Sequence, residues 1–323
     1  MFTIDAKDRK ILYHLDVNSR QPYSFIANKV GLPKNTVFYR IKNLREKGII
    51  KNFWTAINTF ILGYNVFRIY LSFQYVSQDV KKKIIERFVT YKYSWAVASA
   101  QGEFDLAAVI WVRNIYNFYM FWNATLDEFG DYFAKKTVSI YVQAIAYKKS
   151  YLLPEELTLS AEELYRMTCG NRIVDIDAVD YYILNELAID ARNSLAELGR
   201  KLDCTPQAVK YRINRLKELG VIQAFRVYID HKKIGLQKYA LDIYLKENSK
   251  KSEIVDFLKK CSCLEYLDVA MGWSDIEVEV IVKNEKELYN IIDEINTRFS
   301  KAIKKISFLL LVKYHKERWL PEI

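Results

Sequence analysis

The length, composition and charge of this chain are typical of a globular protein with more than one hydrophobic core. Its 323 residues are 51% hydrophobic and 27% charged, with a formal net charge of +10, which excludes a disordered chain and agrees with a polyanionic partner. The sequence has no apolar leader and no uncharged apolar run of about 18 residues or more, so we expect a cytoplasmic protein that spans no membrane.

Cysteine and histidine are sparse in this sequence. Four cysteines are too few for a disulfide framework in a chain of this length. The pair Cys261 and Cys263 has no histidine at the spacing of a metal ligand. We therefore predict two ordinary thiols there, and we expect neither a metal site nor a cofactor.

The first sixty residues have the pattern of a winged helix-turn-helix domain. Apolar residues at helical spacing predict short helices over 5–16 and 25–30. A third helix follows the Leu32-Pro33 turn and ends at Gly48. Its buried stripe consists of Val37, Ile41 and Leu44. The stretch 49–57 has strand character and begins the strand pair that we predict as the wing.

From Phe67 onward the pattern changes to alternating strands and helices. We predict strands over 67–76, 95–100, 106–112 and 138–147, and helices over 80–91 and 116–129. This βαββαβ order is typical of a ferredoxin-like fold, an antiparallel sheet with both helices on one face. Both alternating sets of side chains in 106–112 are apolar, so we expect a second sheet or subunit to cover the other face.

The whole unit occurs twice. Val37, Tyr39, Arg40, Ile41, Leu44 and Gly48 recur 172 positions later as Val209, Tyr211, Arg212, Ile213, Leu216 and Gly220. We therefore predict an α+β protein in which winged helix-turn-helix domains (1–60 and 175–232) alternate with ferredoxin-like βαββαβ domains (64–150 and 236–323). The connector, 151–174, is predicted to be helical because Ser160 and Glu163 are spaced as a capping box.

These repeated motifs resemble the Lrp/AsnC family, the feast/famine transcriptional regulators. The family pattern is Val-x-x-Arg-Ile-x-x-Leu-x-x-x-Gly-[Val/Ile]-Ile, followed by a Gly-x-[aromatic]-Asp turn in a βαββαβ effector domain of the RAM type. Copy one matches it with Val37, Arg40, Ile41, Leu44, Gly48, Ile49, Ile50, Gly102, Phe104 and Asp105. Copy two matches it with Val209, Arg212, Ile213, Leu216, Gly220, Val221, Ile222, Gly272 and Asp275. Because family members are usually single units that dimerise through their sheets, the resemblance implies self-association through the βαββαβ sheets, and the tandem fusion departs from it.

The third helix of each copy is the predicted contact to double-stranded DNA. A recognition helix needs polar side chains for base edges and cations for phosphates. The candidates in copy one are Lys34, Asn35, Thr36, Tyr39, Arg40, Lys42 and Arg45. Those in copy two are Gln207, Lys210, Tyr211, Arg212 and Lys217. A structural alternative for Arg40 is an ion pair with a carboxylate of the first helix, such as Asp8.

The two copies differ in charge. Residues 1–150 contain 22 Lys and Arg against 11 Asp and Glu, whereas residues 151–323 contain 27 against 28. Acidic residues also flank the second recognition helix in the sequence. We therefore expect the second helix-turn-helix to bind DNA less tightly than the first, or to read a different half-site.

The Gly-x-x-Asp turns are the predicted effector sites, since the resemblance implies an amino-acid effector at this turn. Glycine lets backbone N–H groups approach a carboxylate, and the aspartate can receive an ammonium group. The candidates are Gly102, Glu103, Phe104 and Asp105 in the first unit and Gly272, Trp273, Ser274 and Asp275 in the second. The alternative is a tight turn between adjacent strands, which favours glycine and aspartate for its own geometry.

We therefore predict a sequence-specific DNA-binding transcriptional regulator and not an enzyme. Two alternatives stay open. Siroheme decarboxylases resemble paired Lrp-type units, so a fused pair could be such an enzyme, and a basic, oligomeric relative could also coat DNA in the manner of chromatin. Against the enzyme, the few histidines do not cluster at the sheet and the two effector domains share no Arg/His/Tyr set.

Overall fold

The computed structural model of the protein describes residues 3–154, 160–170 and 172–322. The first unit opens with three helices and a strand: α1 (Ala6–Val17), α2 (Tyr23–Val30), α3 (Lys34–Glu46) and β1 (Ile50–Ile57). It continues with β2 (Asn65–Phe73), α4 (Gln78–Thr90), β3 (Ser94–Gly102), β4 (Leu106–Val112), α5 (Ile115–Phe129), β5 (Phe133–Tyr147) and β6 (Glu163–Thr168).

The second unit repeats this order up to the equivalent of β5. Its helices and wing strand are α6 (Ala178–Ile189), α7 (Leu195–Lys201), α8 (Pro206–Glu218) and β7 (Ile222–Ile229). They are followed by β8 (Gln237–Leu245), α9 (Lys251–Leu258), β9 (Leu264–Met271), β10 (Ile276–Val282), α10 (Glu285–Phe299) and β11 (Ile303–Glu317). Within the described ranges, no helix is long and apolar enough to cross a membrane.

The first helix of each unit begins with the same cap. The Asp5 side chain accepts a hydrogen bond from the backbone N–H of Asp8 at 2.7 Å, and Asp177 does the same for Asp180 at 2.8 Å. These caps satisfy N–H groups that have no partner inside the helix. The apolar stripes behind them are completely buried and comprise Ile11, Leu12 and Leu15 in α1, and Ile183, Leu184 and Leu187 in α6.

The wing differs from the prediction, because its two strands come from different copies. β1 pairs antiparallel with β7, with Phe53 opposite Val227 and Ala56 opposite Ala224. In each unit the chain leaves this strand directly for the next sheet, so no second wing strand is formed locally. The polar edge of β1 is therefore satisfied by the equivalent strand of the other copy.

The βαββαβ prediction also needs correction, because the two four-stranded sets do not form separate sheets. The order β2-β4-β3-β11-β8-β10-β9-β5 closes into a barrel through an additional β2–β5 pairing. β5 and β11 have 15 residues each. One half of β11 pairs with β8 of its own unit and the other half with β3 of the first unit. The sheet contact that we predicted as self-association is thus made within one chain.

The barrel explains the two apolar faces of β4. Leu106, Ala108 and Ile110 pack in the core that α4 and α5 cover. Ala107, Val109 and Trp111 line a cavity on the inside. The second apolar face of β4 is therefore covered, as predicted, because it points into the interior of the barrel.

Two further predictions are wrong. Residues 163–168 of the predicted helical connector form strand β6, which extends the sheet beside β5 from Gln143 to Tyr147. The ring of Tyr165 is buried in a cluster with Trp54 and Ala146, which stabilises an extended strand here, while Glu163 and Arg166 are exposed. Residues 160–162 are not helical either, and residues 155–159 of the predicted helix lie outside the described residues. Cys261 and Cys263, predicted as thiols, are joined by a disulfide.

Candidate nucleic-acid interface

The two helix-turn-helix units form one body with approximate twofold symmetry. The N–H of Ser19 donates to the carbonyl of Phe225 at 2.7 Å, and the equivalent N–H of Ala191 donates to Phe53 at 2.9 Å. Each bond joins the turn after the first helix of one copy to the wing strand of the other. The shared wing sheet therefore connects the two units from both sides, as in a twofold interface between identical subunits.

Two equivalent arginines add to this interface. Arg20 donates to the carbonyls of Ala191 and Asn193, at 2.5 and 2.9 Å. Arg192, its counterpart 172 positions later, donates to the carbonyl of Ser19. Burial lowers the pKa of both guanidinium groups. The carbonyl acceptors satisfy the N–H groups of the two arginines but do not neutralise the positive charge of the guanidinium groups. The two arginines therefore position the two units and also supply positive electrostatic potential.

Most of the predicted DNA contacts lie on the outer surface of α3 and α8. The side chains that are exposed on α3 are Lys34, Asn35, Tyr39, Lys42 and Arg45, and Thr36 is half-buried. Those exposed on α8 are Gln207, Lys210, Tyr211 and Lys217. The side chains of Tyr39 and Tyr211 are 66% and 69% exposed. Such exposure of large aromatic side chains is uncommon unless they contact a binding partner.

Arg40 and Arg212 are the exceptions, because carboxylates of the first helix engage both. Arg40 Nη1 lies 2.7 Å from Asp5 Oδ2 and 2.8 Å from Asp8 Oδ1. Arg212 makes the same two contacts with Asp177 and Asp180 at the same distances. The hydrogen bonds to these carboxylates raise the pKa of both arginines. The ion-pair alternative is therefore observed, and each arginine braces its recognition helix against the first helix of the unit.

The bracing role gives a prediction for Arg40→Ala. The ion pairs are partly exposed, so we expect a loss of about 1 kcal/mol or less in the free energy of unfolding. The affinity for DNA should fall only because the placement of α3 changes. The slope of the logarithm of the DNA-binding constant against the logarithm of the salt concentration should stay the same, because no phosphate contact is lost. Urea unfolding and fluorescence anisotropy at several salt concentrations measure both. A slope that became shallower by about 0.9 would show instead that Arg40 contacts a phosphate.

The Gly-x-x-Asp turns face each other across the two units. Phe104, which is buried, lies 5.3 Å from Trp273 between ring centroids, and Tyr70 contacts both rings. Asp105 accepts a hydrogen bond from the N–H of Phe73 at 2.8 Å. Both carboxylate-bearing turns are thus packed together inside one chain.

The equivalent turn side chains are engaged in the second unit too. Asp275 accepts from the N–H of Leu245 at 2.6 Å, and the buried Ser274 donates to Asp242 at 3.2 Å. Glu103 pairs with Lys305 at 3.0 Å. A Cβ on Gly102 or Gly272 would lie 2.7 or 3.0 Å from a carbonyl oxygen of the opposite unit, so close backbone packing explains both glycines. The effector role of these turns stays a prediction.

The barrel interior contains a group of buried charges that sequence reasoning missed. Arg68 pairs with Asp268 at 2.8 Å and with Glu277, and it lies 4.4 Å from the centroid of the Tyr141 ring. Burial raises the pKa of Asp268 to about 6 and that of Glu277 to about 8. Asp242, behind them, also has a raised pKa because it is buried. One arginine cannot neutralise three carboxylates, so the cluster keeps a proton near neutral pH.

This cluster predicts that stability falls as pH rises. The folded carboxyls have raised pKa values, so between about pH 4 and pH 8 the folded state holds a proton that the unfolded state has lost. The stabilisation is fully present below the unfolded pKa and is lost progressively as pH rises from about 4 to about 8. Urea unfolding across this range should show the loss, and Glu277→Gln should reduce it. An unchanged pH profile in the variant would contradict the assignment.

A signal for this cluster was present in the strands. Arg68 interrupts the apolar strand β2, and Glu277 and Glu279 alternate with valine in β10. Charged residues at every second position of an otherwise apolar strand lie on one face of that strand. Because the other residues are apolar, this pattern indicates that the charged face points into the protein interior. His231, Tyr314 and Arg68 also line one cavity in the barrel, although they come from different elements. The sequence prediction was that the two effector domains share no Arg/His/Tyr set, and residues that converge from different elements lie outside that comparison.

Comparison with known proteins identifies the family. Residues 4–51 match the family model for a winged helix-turn-helix DNA-binding domain, and residues 176–217 match the AsnC-type helix-turn-helix domain. The uncharacterized HTH-type transcriptional regulator PH0140 of Pyrococcus horikoshii is 33% identical over 124 residues, which cover 38% of this chain and 78% of that relative. The chain belongs to the Lrp/AsnC family. HTH-type transcriptional regulator LrpA of the same organism is 30% identical over 115 residues, covering 34% of this chain and 77% of LrpA.

The Lrp/AsnC assignment and the helix-turn-helix matches establish a DNA-binding transcriptional regulator. Among solved structures, the siroheme decarboxylase NirDL has a similar fold. The alignment covers 96% of this chain and 92% of NirDL, with a TM-score of 0.63 and 12% sequence identity. At that identity the likeness concerns the fold alone.

Proposed function

We propose that this Lrp/AsnC chain binds double-stranded DNA in the cytoplasm as an intramolecular pseudo-dimer, with α3 and α8 reading two different half-sites. The observation that carries the proposal is the β1–β7 wing sheet, which fixes both recognition helices in one body. In a dimer of identical units both half-sites would have the same sequence. Here α3 carries Lys34 and Lys42 where α8 has Pro206 and Asn214, so the operator need not be palindromic.

Selection of binding sites from a random DNA pool tests this proposal. The full-length chain should enrich one asymmetric site whose half-sites are about one helical turn apart, roughly 10 base pairs between centres. Enrichment of a perfect palindrome would contradict the division between α3 and α8. Footprinting on genomic DNA separates a regulator from a DNA-coating protein, since protection of a few spaced sites supports the proposal and continuous protection opposes it.

An amino-acid effector remains part of the proposal through the family resemblance. The engaged carboxylates of Asp105 and Asp275 mean that an ammonium group would have to compete with the backbone N–H donors of Phe73 and Leu245. Affinity for the selected DNA, measured with and without each amino acid, tests this part. Association of whole chains into larger assemblies also remains a proposal.

An enzyme related to NirDL is the second candidate, because the enclosed barrel cavity accompanies the full-length likeness in fold. A siroheme-type tetrapyrrole carries several carboxylates and needs an excess of cations. In the cavity, Arg68, Lys149 and Lys238 are each paired with carboxylates of the protein itself, which opposes such a ligand. A Soret band on addition of siroheme, together with release of carbon dioxide, would favour the enzyme.

A further inference from the structure

The two recognition helices carry chemically different side chains at one exposed position. Equivalent residues of α3 and α8 are 172 positions apart, so Phe38 corresponds to Lys210. Both side chains are exposed. The next residue is a tyrosine in both helices, Tyr39 and Tyr211. A ring without hydrogen-bond donors and an ammonium group, at the same place of two similar helices, give the helices different preferences for DNA bases.

Phe38 lies outside the hydrophobic core of its unit. The three residues of the buried stripe of α3 are at most 2% exposed, whereas Phe38 is 46% exposed. Its ring meets Tyr23 and Tyr39 edge to face, with 5.9 and 5.6 Å between ring centroids. Because these contacts orient the ring, little further ordering is needed when a bound group covers its exposed part.

Cations lie on both sides of Phe38 along the outer stripe of α3. Lys34 and Lys42 are four residues before and after it, so all three side chains lie on one face of the helix, and both lysines are exposed. The 3.8 Å contact of Lys42 with Glu46 is on the surface and weak. In a DNA complex, cations of this kind bind phosphates and the side chains between them face the base edges. Single exposed phenylalanines are common on protein surfaces, but this one occupies the place of a base contact.

Lys210 is available as a donor at the equivalent place of α8. Its neighbours Arg212 and Arg215 each lie 2.8 Å from a carboxylate oxygen of Asp180. Lys210 itself has no carboxylate partner among the residues that the structure describes. In the major groove, lysine suits the O6 and N7 acceptors of guanine, whereas an apolar side chain suits the 5-methyl group of thymine.

We propose that Phe38 contacts the 5-methyl group of a thymine in the half-site bound by α3, and that Lys210 donates to O6 or N7 of a guanine at the equivalent place of the other half-site. This inference rests on the proposed function, in which α3 and α8 read different half-sites, and it names a base at which the half-sites differ. The methyl group is the apolar group that thymine presents in the major groove, so a ring without donors favours thymine over the other bases.

Removing the methyl group from the DNA tests the role of Phe38 without altering the protein. The site that the whole chain selects from a random pool is synthesised with each thymine replaced in turn by deoxyuridine, which keeps the base-pairing groups. One replacement, in one half-site only, should weaken binding about fourfold, the effect expected when one methyl group is no longer buried. Fluorescence anisotropy measures the affinities.

Two variants assign this effect to one side chain. The same replacement should leave the affinity of Phe38→Ala unchanged, because the ring that covers the methyl group is absent. Phe25→Ala removes a ring that is 48% exposed on α2, outside the recognition helix, and should retain the fourfold loss. Loss of the effect in Phe25→Ala, or its persistence in Phe38→Ala, would refute the assignment.

Exchanging the two side chains tests both halves of the proposal. Phe38→Lys places a cation at this position of both helices, so site selection with this variant should replace the thymine by a guanine. Lys210→Phe should replace the guanine by a thymine. An asymmetric site whose affinity no methyl removal changes, or a thymine that Phe38→Lys still selects, would overturn this inference alone. A palindromic site, or no sequence preference in the parent chain, would overturn the proposed function as well.

Discussion

Arg226→Met should lower the free energy of unfolding by about 3–5 kcal/mol. Arg226 is fully buried and lies 2.8 Å from Asp16, which is also fully buried. It also donates to the hydroxyl of Tyr266 at 2.9 Å. One guanidinium thus joins α1 of the first unit, β7 of the second and the barrel strand β9. Methionine fills a similar volume but leaves the Asp16 carboxylate buried without a counter-charge.

Urea unfolding of the full-length chain measures this loss, and a double-mutant cycle isolates its cause. Combining Arg226→Met with Asp16→Leu removes both charges, so most of the stability should return. Additive losses in the double variant would show that packing around Arg226, and not the unpaired carboxylate, is responsible. Lys217→Met, on the exposed face of α8, is the matched control and should change stability by less than about 0.5 kcal/mol.

The repeat made the local elements predictable but not their partners. Spacing alone located β4 at the bounds that the structure has. It could not show that β1 pairs with β7, because a strand with a polar edge accepts any complementary strand. The barrel closure follows from the length of β5 and β11, whose additional residues pair with the other unit. Such pairings depend on tertiary geometry that no local pattern encodes.

Part of the charge difference between the two halves lies in the interior of the protein. Asp268 and Glu277 are buried in the barrel and belong to the second unit. The equivalent positions of the first unit, 170 residues earlier, are Ala98 and Ala107. The second half therefore places acidic residues on the inside, where they neutralise Arg68 of the first unit. The total charge of each half is consequently a weaker guide to DNA affinity than the charges on α3 and α8.

Removing Lys34 and Arg45 together should weaken DNA binding about 50- to 100-fold at roughly 0.1 M salt. Both side chains are exposed on α3. Each phosphate contact multiplies the DNA-binding constant by the salt concentration raised to the power of about −0.9, which is roughly tenfold at this salt concentration. The slope of log K against log salt should become shallower by about 2. Fluorescence anisotropy with the DNA site selected by the parent protein measures both quantities, and urea unfolding confirms that the variant stays folded.

The matched experiment removes two cations from the other recognition helix. Arg45 corresponds to Lys217 across the repeat, and Lys210 is the other exposed cation of α8 among the predicted contacts. If α3 provides most of the phosphate contacts, Lys210→Ala with Lys217→Ala should cost clearly less affinity and less slope than the change on α3. Equal losses would mean that both helices are bound equivalently, because identical charge has been removed from each. A larger loss on α8 would reverse the assignment, since the interface would then be centred on the second unit despite the acidic residues around it.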